Sequence, residues 1–468
     1  MNWRSTSRAA ATALRCGIAT SGRSSPVPTR LRRLAQWLAP GLGVKRWVVL
    51  MAAGILLLSA GVMLIVNVRP LGWLEFSMFR LAVAALTLSR GALSPTWLGV
   101  ALVAGGLLAV FAGLRGTVRA VAGALLPPGQ QRLVEVLAQQ RQRRRGPRIV
   151  VIGGGTGLST LLRGLKGSTD NLTAVVTVFD DGGSSGRLRR ELGILPPGDI
   201  RDCLVALAES EPLMTQLFEY RFQGGALDGH AFGNLFIASL TGVTGNLESA
   251  VKETSKVLNI RGRVLPSAAE DVVLWAEFSD GTMVEGESQI TRTRKRIRRV
   301  GLKPADVAPL PEVLQAIGEA ELIVLGPGSL YTSVIPNLLV RGVAAAIRSS
   351  QARRVYVCNV MTQPGETDGF SSSDHVRVLD DLIGPGLFTH VLVNTRRPRN
   401  RALLARYEAE GARPVEPDLD AIRTQGVLPV GEALISEEHL VRHEPRLLAR
   451  ALLQVLEAVP ADARVAAL

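Results

Sequence analysis

Along the second two-thirds of the chain, short runs of β-branched and apolar residues stop abruptly at glycine and give way to apolar positions at helical spacing. The first such run, residues 148–152, is cut off by Gly153, Gly154, Gly155, Thr156 and Gly157, after which Leu158, Leu161, Leu162 and Leu165 mark one face of a helix. Residues 172–179 form a second run and deliver Asp180, Asp181, Gly182, Gly183 and Ser184. Residues 321–325 again run into glycine, at Gly326, Gly328 and Ser329, ahead of an apolar helix around Leu338. Residues 354–358 lead to Asn359 and Gln363, and 390–393 lead to Asn394. Buried strands alternating with helices predict an α/β domain: a Rossmann-like, mainly parallel sheet with helices on both faces and ligands at the carboxyl ends of the strands. A hairpin around Ser279, Asp280 and Gly281 interrupts the alternation, and the chain is less regular from about 396.

The first third reads differently. Residues 1–46 hold no acid and are rich in arginine, serine and alanine, a composition of disordered tails and of organelle transit peptides. Residues 47–66 then form an uncharged apolar run long enough to cross a bilayer, and 97–114 form a second. Between them, 74–89 carries Glu75 and Arg80 in an otherwise apolar helical pattern, which suits an interfacial segment. Basic residues crowd both outer flanks, so the two spans predict a transmembrane hairpin (47–114) with both ends in the cytoplasm. A cleaved signal peptide is disfavoured by the length of the first run and by the second. Residues 115–147 read as a basic linker broken by Pro127, Pro128 and Gly129, its cluster of Arg141, Arg143, Arg144 and Arg145 suited to anionic lipid. The domain proper is expected over 148–455, with a tail at 456–468.

The formal net charge of +14 suggests nucleic acid until it is located. Twenty of the 54 basic residues lie in 1–148 against two of the 40 acids, which leaves the remainder mildly acidic. No aromatic residues interleave with the 141–145 run, so no nucleic-acid partner is expected. Cys16, Cys203 and Cys358 are odd in number and lack metal-ligand spacing, which fits a reducing compartment.

Glycines where a strand hands over to a helix let a phosphate approach unpaired amides at the positive end of the helix dipole. Two such units suit a diphosphate, which needs donors from more than one side. The dinucleotide fingerprint is broken by Leu158, and Asp180 lies further on than a ribose-binding acid should, so an NAD(P)-dependent oxidoreductase is disfavoured. Asp180 and Asp181 read as ligands for a divalent cation or a ribose hydroxyl, or as helix caps. Asp199 is placed to cap a helix, and Arg201 on that helix is a candidate phosphate clamp or a local ion-pair partner. His230 and Asn234 flank glycines before another apolar helix. Tyr407 and Arg442 offer the aromatic face and forked cation that a nucleotide would use, or pack on the surface.

Taken in order, residues 148–157, 180–187, 195–202, the Gly229-His230 and Gly233-Asn234 turn, 326–337 and 359–367 resemble the gluconeogenesis factor (YvcK-type) branch of the CofD-like superfamily. The resemblance covers about 148–455. It implies a domain that binds UDP-sugars, UDP-N-acetylglucosamine in particular, and controls cell shape and wall-precursor supply on gluconeogenic carbon. It also implies that Gly153 to Gly157 and Gly326 to Ser329 cradle the diphosphate, that Asp180 and Asp181 take the carboxylate role with Mg2+, and that Tyr407 and Arg442 contact the UDP-sugar. The short form of the family is soluble, so the hairpin reads as an addition. Two readings follow: a membrane-tethered sensor, homo-oligomeric and passing its occupancy to a regulatory protein partner, or a metal-dependent 2-phospho-L-lactate transferase-like enzyme. The absence of a Ser, Cys or His set with nucleophile and base spacing favours the sensor.

Overall fold

A computed structural model describes residues 45–66, 94–125, 140–209 and 212–458, with the single positions 77, 80 and 84. It divides into two compact units, 1–136 and 137–468. The expected basic tail up to residue 44, most of the 74–89 segment and the last ten residues lie outside the described residues.

In the first unit, helices Lys45–Val66 and Pro95–Leu125 include windows of mean hydropathy 2.7 and 2.2, and both are long and apolar enough to cross a membrane. Their seam is backbone on backbone. A Cβ on Gly54 would lie 2.8 Å from the Gly106 carbonyl oxygen, one on Gly61 2.7 Å from that of Gly99, and one on Gly113 2.8 Å from that of Trp47. These pairings run in opposite directions along the two helices, so they form an antiparallel hairpin closed by small residues. Val49, Leu108 and Phe111 point away from the seam and are exposed. The second helix overruns the expected span because nothing in its sequence breaks it before Pro127, so residues 115–125 are helix rather than linker.

The second unit is built on seven parallel strands. In chain order they are β1 (Ile149–Gly153), β2 (Leu172–Val176) and β3 (Arg263–Pro266), then β7 (Leu322–Leu325), β8 (Arg353–Val357), β9 (His390–Asn394) and β10 (Leu428–Glu432). The spatial order is β10-β9-β8-β7-β1-β2-β3. β1, β2 and β7 are buried at every position, as their apolar sequences, broken only by Thr173, require. Because parallel crossovers are right-handed, the chain winds one way from β1 to β3 and the other way from β7 to β10, which puts helices on opposite faces. Helix Gly155–Leu165 packs with Gly198–Leu207 and Pro445–Glu457, while Ile335–Leu339, Ser372–Ile383 and Leu419–Thr424 form a second group. The winding reverses between β1 and β7, and open α/β sheets bind ligands at such a switch point.

The expected hairpin is β4 (Val273–Phe278) and β5 (Met283–Glu285), joined on the other edge by β6 (Ile297–Lys303) into a separate three-stranded antiparallel sheet. Much of its basic run is paired at the surface: Lys295 with Asp280 (2.6 Å), Arg298 and Arg299 with Glu277 (2.8 and 3.1 Å), and Lys303 with Glu285 (2.8 Å).

Candidate functional site

At the switch point the two glycine loops touch. A Cβ on Gly157 would come within 2.5 Å of the Pro327 carbonyl oxygen, and one on Gly328 within 3.2 Å of that of Gly154. Gly326 takes a positive φ of 76°, where other residues are strained. The loops open onto a cavity of about 530 Å³ lined by Gly154, Gly155, Thr156, Gly157, Gly328 and Ser329, and also by Asn359, Gln363, Tyr407 and Arg442.

Helix Gly155–Leu165 begins here. Its N-cap, Gly154, has no side chain to satisfy the first-turn amides, and Asp199 Oδ2 accepts from the Gly155 N–H at 2.7 Å. The Thr156 and Gly157 amides have no intrahelical acceptor and lie at the cavity wall. The amide side chains brace the second loop: Asn359 Nδ2 donates to the Gly328 carbonyl (2.9 Å) and Gln363 Nε2 to Ser329 Oγ (2.6 Å). Gly153 ends β1 just behind, its carbonyl accepting from Asn337 Nδ2 at 3.3 Å.

The adjacent carboxylates Asp180 and Asp181 point to different places. Asp180 lines the cavity, and its Oδ1 accepts from the Gly182 N–H at 2.8 Å. Asp181 turns away to accept from the Ser288 N–H at 2.8 Å, because the backbone after Asp180 rises into helix Gly183–Leu192. Among the described residues no three His, Cys, Asp or Glu side chains are grouped to hold a metal ion, and of the two carboxylates expected to take Mg2+ only Asp180 lines the cavity.

The remaining candidates sit together in a buried network beside the cavity. Ser184 Oγ is hydrogen-bonded to His230 Nδ1 (3.0 Å) and accepts from Asn234 Nδ2 (3.1 Å). Arg201 Nη1 donates to Asn234 Oδ1 (3.0 Å), and its other nitrogens bind Asp202. Gly182, Gly183, Ser184, Arg201, His230 and Asn234 are thus outside the cavity lining.

Sequence reasoning missed Glu287, His443, Thr160 and Ser333, all in the lining. Glu287 reads as the end of a strand, yet Gly286, at a φ of 95°, turns the chain into a helix that puts Glu287 at the cavity. The glycine before it was the available signal. Burial raises the pKa of Glu287 well above the usual carboxyl range, with Asp180 and Asp199 adding repulsion. Burial likewise raises Asp180, and takes Asp199 from 3.8 to about 7. Burial holds the imidazole of His443 down at about 4, so it is neutral near pH 7.

Asp199 therefore carries more protons folded than unfolded between pH 4 and 7, and its stabilising contribution is lost as pH rises through about 7. Asp199→Asn keeps an oxygen for the Gly155 amide but cannot ionise. It is expected to raise the thermal unfolding midpoint at pH 8 and to change it little at pH 5. An equal shift at both pH values would show that the ionisation of Asp199 is not the cause.

The fold is that of a doubly wound α/β protein with a crevice at its switch point, where two glycine loops and open helix amides offer groups of the kind that suit a phosphate. The family described as 2-phospho-L-lactate transferase CofD matches residues 149–435. A putative gluconeogenesis factor of Nostoc sp. is 48% identical over 436 residues, 91% of this chain and 93% of its own length. The gluconeogenesis factor of Bacillus subtilis is 48% identical over 66% of this chain and 98% of its own length. The solved structure of a UPF0052 family member from Bacillus halodurans is 50% identical, covers 66% of this chain and 99% of its own, and superposes with a TM-score of 0.64. The chain belongs to the gluconeogenesis-factor branch of the CofD family. The Nostoc alignment is longer than the whole chain from residue 148 onward, so it reaches into the N-terminal unit, and that unit is not peculiar to this chain.

Proposed function

We propose that this protein is a membrane-anchored regulator that binds a nucleoside-diphosphate sugar, UDP-N-acetylglucosamine, and governs cell shape and wall-precursor supply during gluconeogenic growth. The observation that carries the reading is the meeting of two glycine loops at one cavity, whose lining includes Thr156 and Gly157 together with Tyr407 and Arg442. The amides suit a diphosphate, the Tyr407 ring a base or sugar face, and the Arg442 guanidinium a phosphate oxygen pair. The volume suits a ligand of that size. Both described cysteines are buried, and burial raises their thiol pKa values far above neutrality, so neither supplies a nucleophile; a transfer carried by positioning needs none, and product analysis decides between binding and turnover. The two apolar helices support the anchor.

The second reading, a phospholactyl transferase, draws on the protonatable carboxyls of Asp199 and Glu287 at the cavity. Calorimetric titration of the full chain in detergent with UDP-N-acetylglucosamine, GDP and NAD, followed by product analysis, separates the two. The sensor requires saturable binding of the UDP-sugar and its recovery unchanged. Cleavage of a nucleotide-linked donor selects the transferase, and preference for NAD overturns both.

A further inference from the structure

A second cavity, of about 510 Å³, opens beyond the carboxyl end of β9. Its apolar lining includes Val360, Leu404 and Val415; its polar residues are Asn394, Thr395, the arginines Arg396, Arg397 and Arg413, and the acids Glu408 and Glu416. Arg396 and Arg397 reach their nearest acids, Glu437 and Glu416, only at 3.7 Å. Among the described residues the Arg413 side chain has no partner. An apolar surface with forked, weakly engaged cations at its edge is the pattern of a site for a small organic anion.

The two cavities share a wall. Val360 lines both. Helix Arg401–Glu410 presents Tyr407 to the crevice and Leu404 and Glu408 to the second cavity. The far side is tied to the same wall: the Val415 N–H donates to the Val360 carbonyl (3.0 Å), the Thr362 N–H to the Arg413 carbonyl (2.7 Å), and the Ala412 N–H to the Tyr407 carbonyl (2.8 Å).

We infer that this cavity is an effector site for a small carboxylate or phosphate on an apolar body, and that its occupancy changes the affinity of the crevice through Val360 and the Tyr407 helix. The coupling rests on the nucleotide-sugar reading above; the site itself does not. Because binding linkage is reciprocal, either ligand reports on the other.

The test uses the full chain in detergent, with phenyl phosphate and benzoate as probes in separate titrations. At least one should bind saturably, the stronger one showing which anion the site takes. Arg396→Ala with Arg413→Ala should weaken it about tenfold or more, as expected for charge-assisted hydrogen bonds, while Arg442→Ala leaves it unchanged. Probe affinity equal in the double variant and the parent, loss in Arg442→Ala, or no binding of either probe overturns the site. Saturating probe should also shift the UDP-N-acetylglucosamine affinity of the parent chain but not of the double variant. An unshifted affinity overturns the coupling alone, and failure of the UDP-sugar to bind in the absence of probe refutes the nucleotide-sugar reading while leaving the probe titrations decisive for the site.

Discussion

Gly157→Val is expected to weaken UDP-N-acetylglucosamine binding about 100-fold while leaving a folded protein. The first atom of any side chain at 157 would sit 2.5 Å from the Pro327 carbonyl oxygen and 2.8 Å from its carbon, and backbone cannot rotate out of the way. The loops must separate, at an overpacking cost of about 2 kcal/mol. Separation moves the Thr156 and Gly157 amides from the second loop, and losing two hydrogen bonds to a charged group weakens binding by about 3 kcal/mol, about 100-fold. Gly167→Val is the control, because a Cβ there meets nothing within 4 Å. Titration calorimetry reads the affinities. Parent-like binding by Gly157→Val would mean that the loop contact does not shape the site.

Arg201→Met should destabilise the second unit by about 3 kcal/mol without comparable loss of ligand affinity. Arg201 is 8% exposed, and its guanidinium divides its donors between Asn234 and Asp202. Methionine roughly fills its volume but strands the Asn234 oxygen, and through Asn234 it loosens Ser184 and His230. Arg201→Lys should recover part of the loss, since it keeps the charge but not the fork. Urea unfolding followed by circular dichroism measures both. If Arg201→Met weakens nucleotide binding more than it lowers the unfolding midpoint, Arg201 belongs to the ligand after all, as a phosphate clamp.

The parallel core is legible in the sequence because a strand buried on both faces leaves an uninterrupted apolar run, as in IVVIG and LIVL. β3 and β10 sit at the two sheet edges, where exposed positions dilute that signal, and neither was anticipated. The glycine loops are legible because close backbone approach leaves glycine as a trace. What a sequence does not carry is the direction of a side chain after a turn: adjacent Asp180 and Asp181 part company, and Arg201 faces its own helix neighbour Asp202 instead of the crevice two residues from Asp199. Glu287 and His443 were missed for a related reason, each reaching the crevice from a short element whose path depends on the whole fold, with Gly286 the one local trace.

In the paired apolar helices, closeness is achieved by main chain, with Gly54, Gly61, Gly99, Gly106 and Gly113 at the crossings. Gly116 adds a sixth, against the Trp47 ring, so the specificity of that pairing resides in positions that have no side chain. Elsewhere on the two outer surfaces, chemical identity can drift among hydrocarbons of any shape without altering which residue faces which.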